Sequence, residues 1–212
     1  MNFKEVKKYL IIFTGISIIV FYCFFTLISF IFYPLPYSPI NNALSDLGCY
    51  NFNPKGAIFY NLGCILTGIL LFPFFIGFYI WYRDKVWHKL LGYSFQILGG
   101  IFSINLIMVG IFSEDFPIQH SIFSIALFLS FLVVLILGSI FLGFHPESIK
   151  IIIVYGIGVI IFNFIFTFII FLTLFGVISL ESLSSFTFLE WFSIFTALGW
   201  VGLLVYNTYK IF

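Results

Sequence analysis

The 212-residue chain is too apolar for a water-soluble domain, since 62% of its residues are hydrophobic, 8% are charged and the mean hydropathy is +1.20. About a quarter of the residues of a soluble domain are charged. The formal net charge of +1 gives no concentrated basic face of the kind that binds nucleic acid. The composition therefore predicts an integral membrane protein whose partners are membrane lipids and not nucleic acid, and it leaves the oligomeric state open.

Six segments are long enough to be membrane helices, since a spanning helix needs about 20 apolar residues. We predict an all-α polytopic membrane protein with a single six-helix transmembrane domain over residues 1–212. The first segment is longer than the apolar core of a signal peptide, about 7 to 15 residues, and lacks a small-residue cleavage site, so we expect a retained anchor. The predicted spans are 9–32, 58–80, 90–112, 120–143, 151–175 and 189–209.

The basic residues predict the orientation, because Lys and Arg concentrate in cytoplasmic loops. With the N-terminus inside, eight of the nine basic residues fall on the cytoplasmic side and Lys55 is the exception. We therefore expect a cell-membrane protein with both termini in the cytoplasm.

The first external loop contains a polar stretch, "SPINNALSDLG", between two apolar runs. Ser38 suits a helix N-cap, Pro39 suits the first helical position, and Gly48 is a natural stop. The apolar residues between them recur at helical spacing. We predict a short amphipathic helix over 39–47 at the membrane boundary, and its polar face carries Asn41, Asn42, Ser45 and Asp46.

Two helices carry polar residues inside their predicted spans. Asn53 is a candidate cap of the second helix, and Asn61 lies two turns further in. An unpaired amide at that depth costs a few kcal/mol, so we expect Asn61 to face the bundle and to reach Ser45 and Asp46. Small and polar residues on one face of the third helix predict a packing seam. They are Gly92, Gln96, Gly99, Ser103 and Gly110.

Acidic residues mark the starts of the fourth and sixth helices. Glu114 and Asp115 precede the fourth helix, where the helix dipole favours anions, and His120 lies in its first turn. Glu190 follows Thr187 by three residues, which is the spacing of a capping box. Each of these residues thus has a structural explanation when it is taken alone.

The predicted topology nevertheless brings all of these residues to one end of one bundle. Ionisable residues near membrane depth are costly, so a group of them is a candidate functional site. The candidate catalytic residues are Asp46, His120 and Glu190. The candidate ligand-binding residues are Asn41, Asn42, Ser45, Asp46, Asn61, Glu114, Asp115, His120 and Glu190.

The sequence predicts no cofactor. A zinc site usually takes several His or Cys ligands, but His88 and His145 are predicted at the opposite end of the bundle from His120. Carboxylates suit harder cations, so a divalent cation at the acidic cluster stays open as an alternative.

Four stretches together resemble one family: "YSPINNALSDLG", "NPKGAIFYNLGCILTG", "GIFSEDFPIQHSIFS" and "FLEW". They are similar to the DUF998 family of six-helix prokaryotic membrane proteins, whose function is unknown. The resemblance covers all six helices and implies that the recurring family features are Ser45, Asp46, Leu47, Gly48, Asn61, Glu114, Asp115, His120 and Glu190.

The resemblance also marks one departure. Many members of the family have Arg after the last-helix Glu, whereas this chain has Trp191. Glu190 is therefore expected to need His120, an amide, a cation or a bound proton. A fainter likeness, in the Ser-Asp block and the helix count, extends to the group of eukaryotic membrane proteins that includes DRAM.

Three functions fit these residues. The first is binding or transport of a lipid headgroup, cation or small polar solute in a polar pocket on the outer side, and we expect this one. The second is an intramembrane hydrolase or transferase that uses the Asp/Glu/His cluster. The third is a structural or assembly subunit in which the cluster only fastens the loops. Substitutions at Asp46 and His120 should separate these functions through their effects on ligand binding and on thermal stability.

Overall fold

The computed structural model describes residues 3–34, 36–177 and 186–212. Within them, six helices are long and apolar enough to cross a membrane, and no strand is present. The prediction of an all-α, multi-pass membrane protein is therefore confirmed. The helices are α1 (Phe3–Ile31), α2 (Ala57–Gly77), α3 (Val86–Ile111), α4 (Pro117–Gly143), α5 (Lys150–Leu174) and α6 (Phe186–Ile211).

Each helix begins before its predicted span, by one residue at α2 and α5 and by three to six residues at the other helices. Successive helices pack against each other, and α6 also packs against α1, so the bundle closes into a ring. We call the end with the loops at 32–56 and 112–116 the acidic end. The opposite end, with the loops at 82–85 and 144–149, is the basic end, and eight of the nine basic residues lie there.

The basic half of the bundle has a core of buried aromatic side chains. Phe78 and Phe95 meet edge to face at 5.3 Å between ring centroids, a geometry that aromatic pairs favour. The fully buried aromatic side chains of this core are Phe74, Phe78, Trp81, Phe95, Phe141 and Trp200. This packing closes the basic half and leaves the main cavity at the acidic end.

The predicted packing seam on α3 is confirmed. A Cβ atom at Gly99 would lie 2.3 Å from the ring of Phe75, so the absence of a side chain there allows α2 and α3 to approach closely. Gln96 donates to the carbonyls of Phe75 and Ile76, at 3.0 Å each. Ser103 donates to the carbonyl of Gly99 at 2.6 Å. Gln96 therefore joins α3 to α2, whereas the Ser103 hydrogen bond stays within α3.

The short helix predicted over 39–47 is confirmed only in part, as a single 3₁₀ turn over Ser45–Gly48. The preceding residues form a separate turn, in which the amides of Asn41 and Asn42 donate to the carbonyl of Ser38. The boundaries of the prediction are therefore wrong.

Two carboxylates explain why the helix does not run through this loop. The amide of Ala43 donates to Asp46 Oδ2 at 3.1 Å, and the amide of Leu44 donates to Glu190 Oε2, also at 3.1 Å. These side-chain acceptors replace the backbone carbonyls that an α-helix would supply. The competing bonds hold the loop against the start of α6.

Candidate functional site

A cavity of about 520 Å³ lies at the acidic end between α4, α5, α6 and the first loop. Part of its lining is polar and part is apolar. The polar wall is formed by Ser45, Glu114, His120, Ser124, Thr187 and Glu190. The apolar wall is formed by Ile125, Phe128, Phe166 and Ile170. Four of the nine predicted binding residues, Ser45, Glu114, His120 and Glu190, thus line one cavity.

Glu190 lies near the start of α6 and is partly buried. Its Oε2 accepts the Leu44 amide at 3.1 Å, so the partner that it was expected to need is a backbone amide. Among the described residues, no Lys, Arg or His nitrogen lies within 4 Å of the Glu190 carboxyl oxygens. In that part of the chain, Glu190 therefore lines the cavity without a basic side chain beside it.

Asp46 lies next to the cavity and beside Glu114. Its Oδ2 accepts the Ala43 amide at 3.1 Å and the Asn42 side-chain amide at 3.4 Å. Burial, and then the neighbouring Glu114 carboxylate, raise the pKa of Asp46 to about 6. The acidic end therefore places carboxyl groups close enough together to disfavour full ionisation.

His120 and Ser124 lie one helical turn apart on the same face of α4. His120 Nδ1 is 2.9 Å from the carbonyl oxygen of Phe112, and Nε2 is 3.2 Å from Ser124 Oγ. A carbonyl oxygen can only accept, so Nδ1 carries the proton, and in the neutral ring Nε2 accepts from the Ser124 hydroxyl. Ser124 was not among the predicted site residues, although its i, i+4 spacing from His120 is visible in "HSIFS".

Asp115, the next residue after Glu114, does not line the cavity. Its carboxylate accepts the amide of Tyr50 at 2.8 Å, the side-chain amide of Asn51 at 2.7 Å and the Ser113 hydroxyl at 2.8 Å. Partial burial opposes ionisation, but these hydrogen bonds outweigh it and hold the pKa of Asp115 below its usual range. Asp115 fastens the first loop to the turn between α3 and α4.

Asn61 also holds the first loop in place. Its side-chain amide donates to the carbonyl of Gly48 at 3.0 Å, and not to Ser45 or Asp46 as predicted. A Cβ atom at Gly48 would lie 2.4 Å from Asn61 Oδ1, so the contact requires glycine there. The prediction that Asn61 faces the bundle is confirmed, but the predicted partners are wrong because the loop presents its backbone.

Asn53 has a larger role than the predicted helix cap. Its side chain is fully buried and donates to Ser29 Oγ at 2.9 Å and to the Leu47 carbonyl at 3.0 Å, while Oδ1 accepts the Gly56 amide at 3.0 Å. One side chain thus joins α1, the first loop and the start of α2. We call Asn53, Asn61 and Asp115, with their hydrogen-bond partners, the loop clamp.

The two remaining candidates lie outside the cavity as well. Asn42 Oδ1 accepts the Ser38 amide at 3.1 Å, and the Asn42 carbonyl accepts the Trp191 indole N–H at 3.2 Å. Asn41 is exposed. Trp191 therefore fastens α6 to the first loop.

A metal site gains no support from the described part of the chain. Within it, no three His, Cys, Asp or Glu side chains are arranged to hold a metal ion. His88 and His145 lie together at the basic end, with ring centroids 6.2 Å apart, and not near His120. The divalent cation that the sequence left open is therefore without a set of ligands there.

The family model described as "Protein of unknown function (DUF998)" matches residues 16–207. The chain belongs to the DUF998 family. No curated protein and no solved structure matches it. The DUF998 assignment thus carries no activity, and function has to be argued from the cavity.

The recurring features that the resemblance implied for this DUF998 protein divide between two places. One set faces the cavity: Ser45, Glu114, His120 and Glu190. Another set belongs to the loop clamp: Gly48, Asn61 and Asp115. Asp46 lies between the two and bonds to the loop backbone.

Proposed function

We propose that this DUF998 protein binds a membrane amphiphile whose headgroup carries an ammonium group. The observation that carries the proposal is the cavity of about 520 Å³, which is lined by Glu114 and Glu190 and by apolar side chains of α4 and α5. Ligand cavities typically measure about 300 to 1,000 Å³ and combine apolar surroundings with a few placed polar groups. The cavity therefore suits a headgroup together with the first part of an acyl chain.

The charge of the cavity favours an ammonium group. Two unit charges 4 Å apart attract by about 1 kcal/mol in water and by about 4 kcal/mol at an effective dielectric constant near 20. Carboxylates at membrane depth are costly unless they are paired. Because no basic side chain of the described residues pairs with Glu114 or Glu190, a ligand cation would supply the missing partner.

The apolar wall supports an amphiphile over a free polar solute. Ile125 and Phe128 of α4 face Phe166 and Ile170 of α5 around the cavity. An acyl chain gains little when it moves from the bilayer to such a wall, since both surroundings are apolar. Selectivity therefore has to come from the headgroup and the polar wall.

We further infer that the protein lies in the cell membrane with both termini in the cytoplasm, so that the cavity opens on the extracytoplasmic side. The support is the concentration of basic residues at the basic end. Two variants test this orientation. In each, the native cysteines are replaced and a single cysteine is introduced in place of Lys55 or of Lys85. An impermeant maleimide added to intact cells should label position 55 and not 85, and the reverse pattern would overturn the inference.

Native mass spectrometry with two lysophospholipids of the same acyl chain tests the binding proposal. One carries ethanolamine and the other glycerol, so the pair differs in the cationic group. We expect the purified protein to prefer the ethanolamine lipid by about tenfold, which is about 1.4 kcal/mol. Glu190→Gln should abolish the preference.

Glu147→Gln is the matched control, because Glu147 is an exposed acid at the basic end. This variant removes the same charge and should keep the preference. Equal binding of the two lipids to the wild type, or an unchanged preference in Glu190→Gln, would contradict the proposal.

A further inference from the structure

The hydrogen-bonded pair Ser124 and His120 lies on the polar wall of the cavity, where a bound amphiphile would meet it. We propose that Ser124 is a nucleophile and His120 its general base, and that together they hydrolyse a carboxylic ester of the bound amphiphile. This inference rests on the proposed function, since the substrate belongs to the same class of lipid.

The geometry matches what an activated serine requires. Ser124 Oγ lies 3.2 Å from His120 Nε2, and the Phe112 carbonyl holds the Nδ1 proton at 2.9 Å. The Nδ1 hydrogen bond fixes the ring and leaves the Nε2 lone pair facing the hydroxyl. In serine hydrolases a carboxylate orients the histidine in this way, and here a backbone carbonyl takes that place.

Ser124 also differs from several other helical hydroxyl side chains of the bundle. In α-helices, Ser and Thr commonly donate to the carbonyl one turn earlier. Ser103, Thr173 and Thr208 do so, at 2.6, 3.0 and 2.9 Å. Ser124 pairs with an imidazole that faces the cavity, so its hydroxyl is not used for the backbone of α4.

A second void next to the pair can hold the water that hydrolysis needs. This void, of about 20 Å³, is lined by His120, Ser124 and Glu190 and by the hydroxyl-bearing side chains Tyr22 and Tyr60. A space of about 10 to 15 Å³ on this measure holds one water molecule when polar partners surround it. The void shares His120, Ser124 and Glu190 with the cavity, so a water there would lie beside the Ser124–His120 pair.

The reaction proceeds in two balanced steps. Ser124 Oγ attacks the ester carbonyl carbon while its proton passes to His120 Nε2, and the bond to the alcohol oxygen breaks as that oxygen takes the proton from Nε2. The products are an acyl-serine and the free alcohol. Water then attacks the acyl carbon, gives a proton through His120 to Ser124 Oγ, and releases a carboxylic acid.

Labelling with an alkyl fluorophosphonate tests the nucleophile in the full-length protein. Loss of fluoride should leave one phosphonyl group on Ser124, detected by intact mass and peptide mapping. Ser124→Ala should lose this label, and His120→Gln should slow it at least about a hundredfold, the lower range for general-base catalysis. Ser139→Ala is the matched control, because Ser139 is a buried serine of α4 outside the cavity, and it should label like the wild type.

Release of fatty acid separates this inference from the proposed function. The wild type should cleave the ester lysophospholipid with ethanolamine and should bind the matching ether lipid without cleaving it. Ser124→Ala should bind the ester lipid intact. Binding of both lipids with no fatty acid released and no fluorophosphonate label would overturn the esterase inference and leave the binding proposal standing. If the wild type binds neither lipid, the binding proposal and the esterase inference are both overturned.

Discussion

Glu114 and Asp115 are adjacent acids in one turn, yet they serve two different regions of the molecule. Asp115 belongs to the loop clamp, where backbone amides, an asparagine and a serine donate to its carboxylate. Glu114 lines the cavity beside Asp46. The clamp uses up the hydrogen-bonding capacity of its polar groups within the protein, whereas the cavity presents polar groups to whatever enters it.

The comparison gives a way to separate structural polar residues from candidate ligand contacts. A side chain whose hydrogen bonds are all made inside the protein stabilises the fold, because breaking those bonds leaves buried partners unpaired. A carboxyl group that faces a cavity without a cation has no such explanation. Clamp variants should therefore lose stability, and cavity variants should lose binding.

The largest loss of stability should follow Asn53→Ala. The substitution leaves the Gly56 amide without its buried acceptor and removes one of the two donors to the Leu47 carbonyl, which keeps the Ser29 hydroxyl, so we expect the free energy of unfolding to fall by about 3 kcal/mol. Reversible unfolding in mixed detergent micelles measures this. Asn41→Ala, at an exposed residue, should change it by less than about 0.5 kcal/mol. A similar loss of unfolding free energy in Asn53→Ala and Asn41→Ala would contradict the distinction between the loop clamp and the exposed loop residues.

Asp115→Asn should cost about 1 to 2 kcal/mol at neutral pH, because a charged acceptor of several hydrogen bonds is replaced by a neutral one. The pKa of Asp115 is lowered in the folded protein. Its stabilisation is thus present above the ordinary value of 3.8 and is lost as the pH falls through the lower folded value. Melting temperatures between pH 3 and 7 should show a smaller acid-induced loss in the variant. An unchanged dependence of melting temperature on pH would contradict the role of Asp115 in the loop clamp.

Asp46→Asn should change the pH dependence of stability in the opposite direction to Asp115→Asn. We expect it to change the free energy of unfolding by about 1 kcal/mol. The pKa of Asp46 is raised from 3.8 to about 6 by burial and by Glu114. The folded state therefore binds the proton more tightly, and stability falls as the pH rises from about 4 to about 6. Removal of the titrating group should flatten this part of the melting-temperature profile. A steeper decline in the variant would contradict the assignment.

Glu190→Gln should have the smallest effect on stability, within about 0.5 kcal/mol, since the amide oxygen can still accept the Leu44 N–H. It should nevertheless abolish the preference for the ethanolamine lipid. The free energy of unfolding and the lipid titration, measured on one preparation, test both parts. A destabilisation as large as that of Asn53→Ala would show that Glu190 has a structural role like the residues of the loop clamp, and would contradict its role in binding.

The six helices could be predicted from the sequence because their apolar runs are long, and the alternating topology was enough to bring Ser45, Glu114, His120 and Glu190 together. The sequence could not separate Glu114 from Asp115, since a short turn has no periodicity that tells which side chain faces inward. The predicted helix over 39–47 was too long because Asp46 and Glu190 take two of its amides, and Glu190 is distant in sequence. Ser124 could be predicted from its i, i+4 spacing from His120, which places both side chains on one face of α4.

The central claim is that the cavity at the acidic end holds the amphiphile. An ethanolamine lysophospholipid with a diazirine in its acyl chain, irradiated with the protein in vesicles, tests it most directly. The account predicts cross-links to Phe128, Phe166 and Ile170 of the cavity wall, competed by unlabelled ethanolamine lipid and not by glycerol lipid. Cross-links confined to the outward-facing Ile122 and Ile165, which are 58% and 48% exposed, would contradict it.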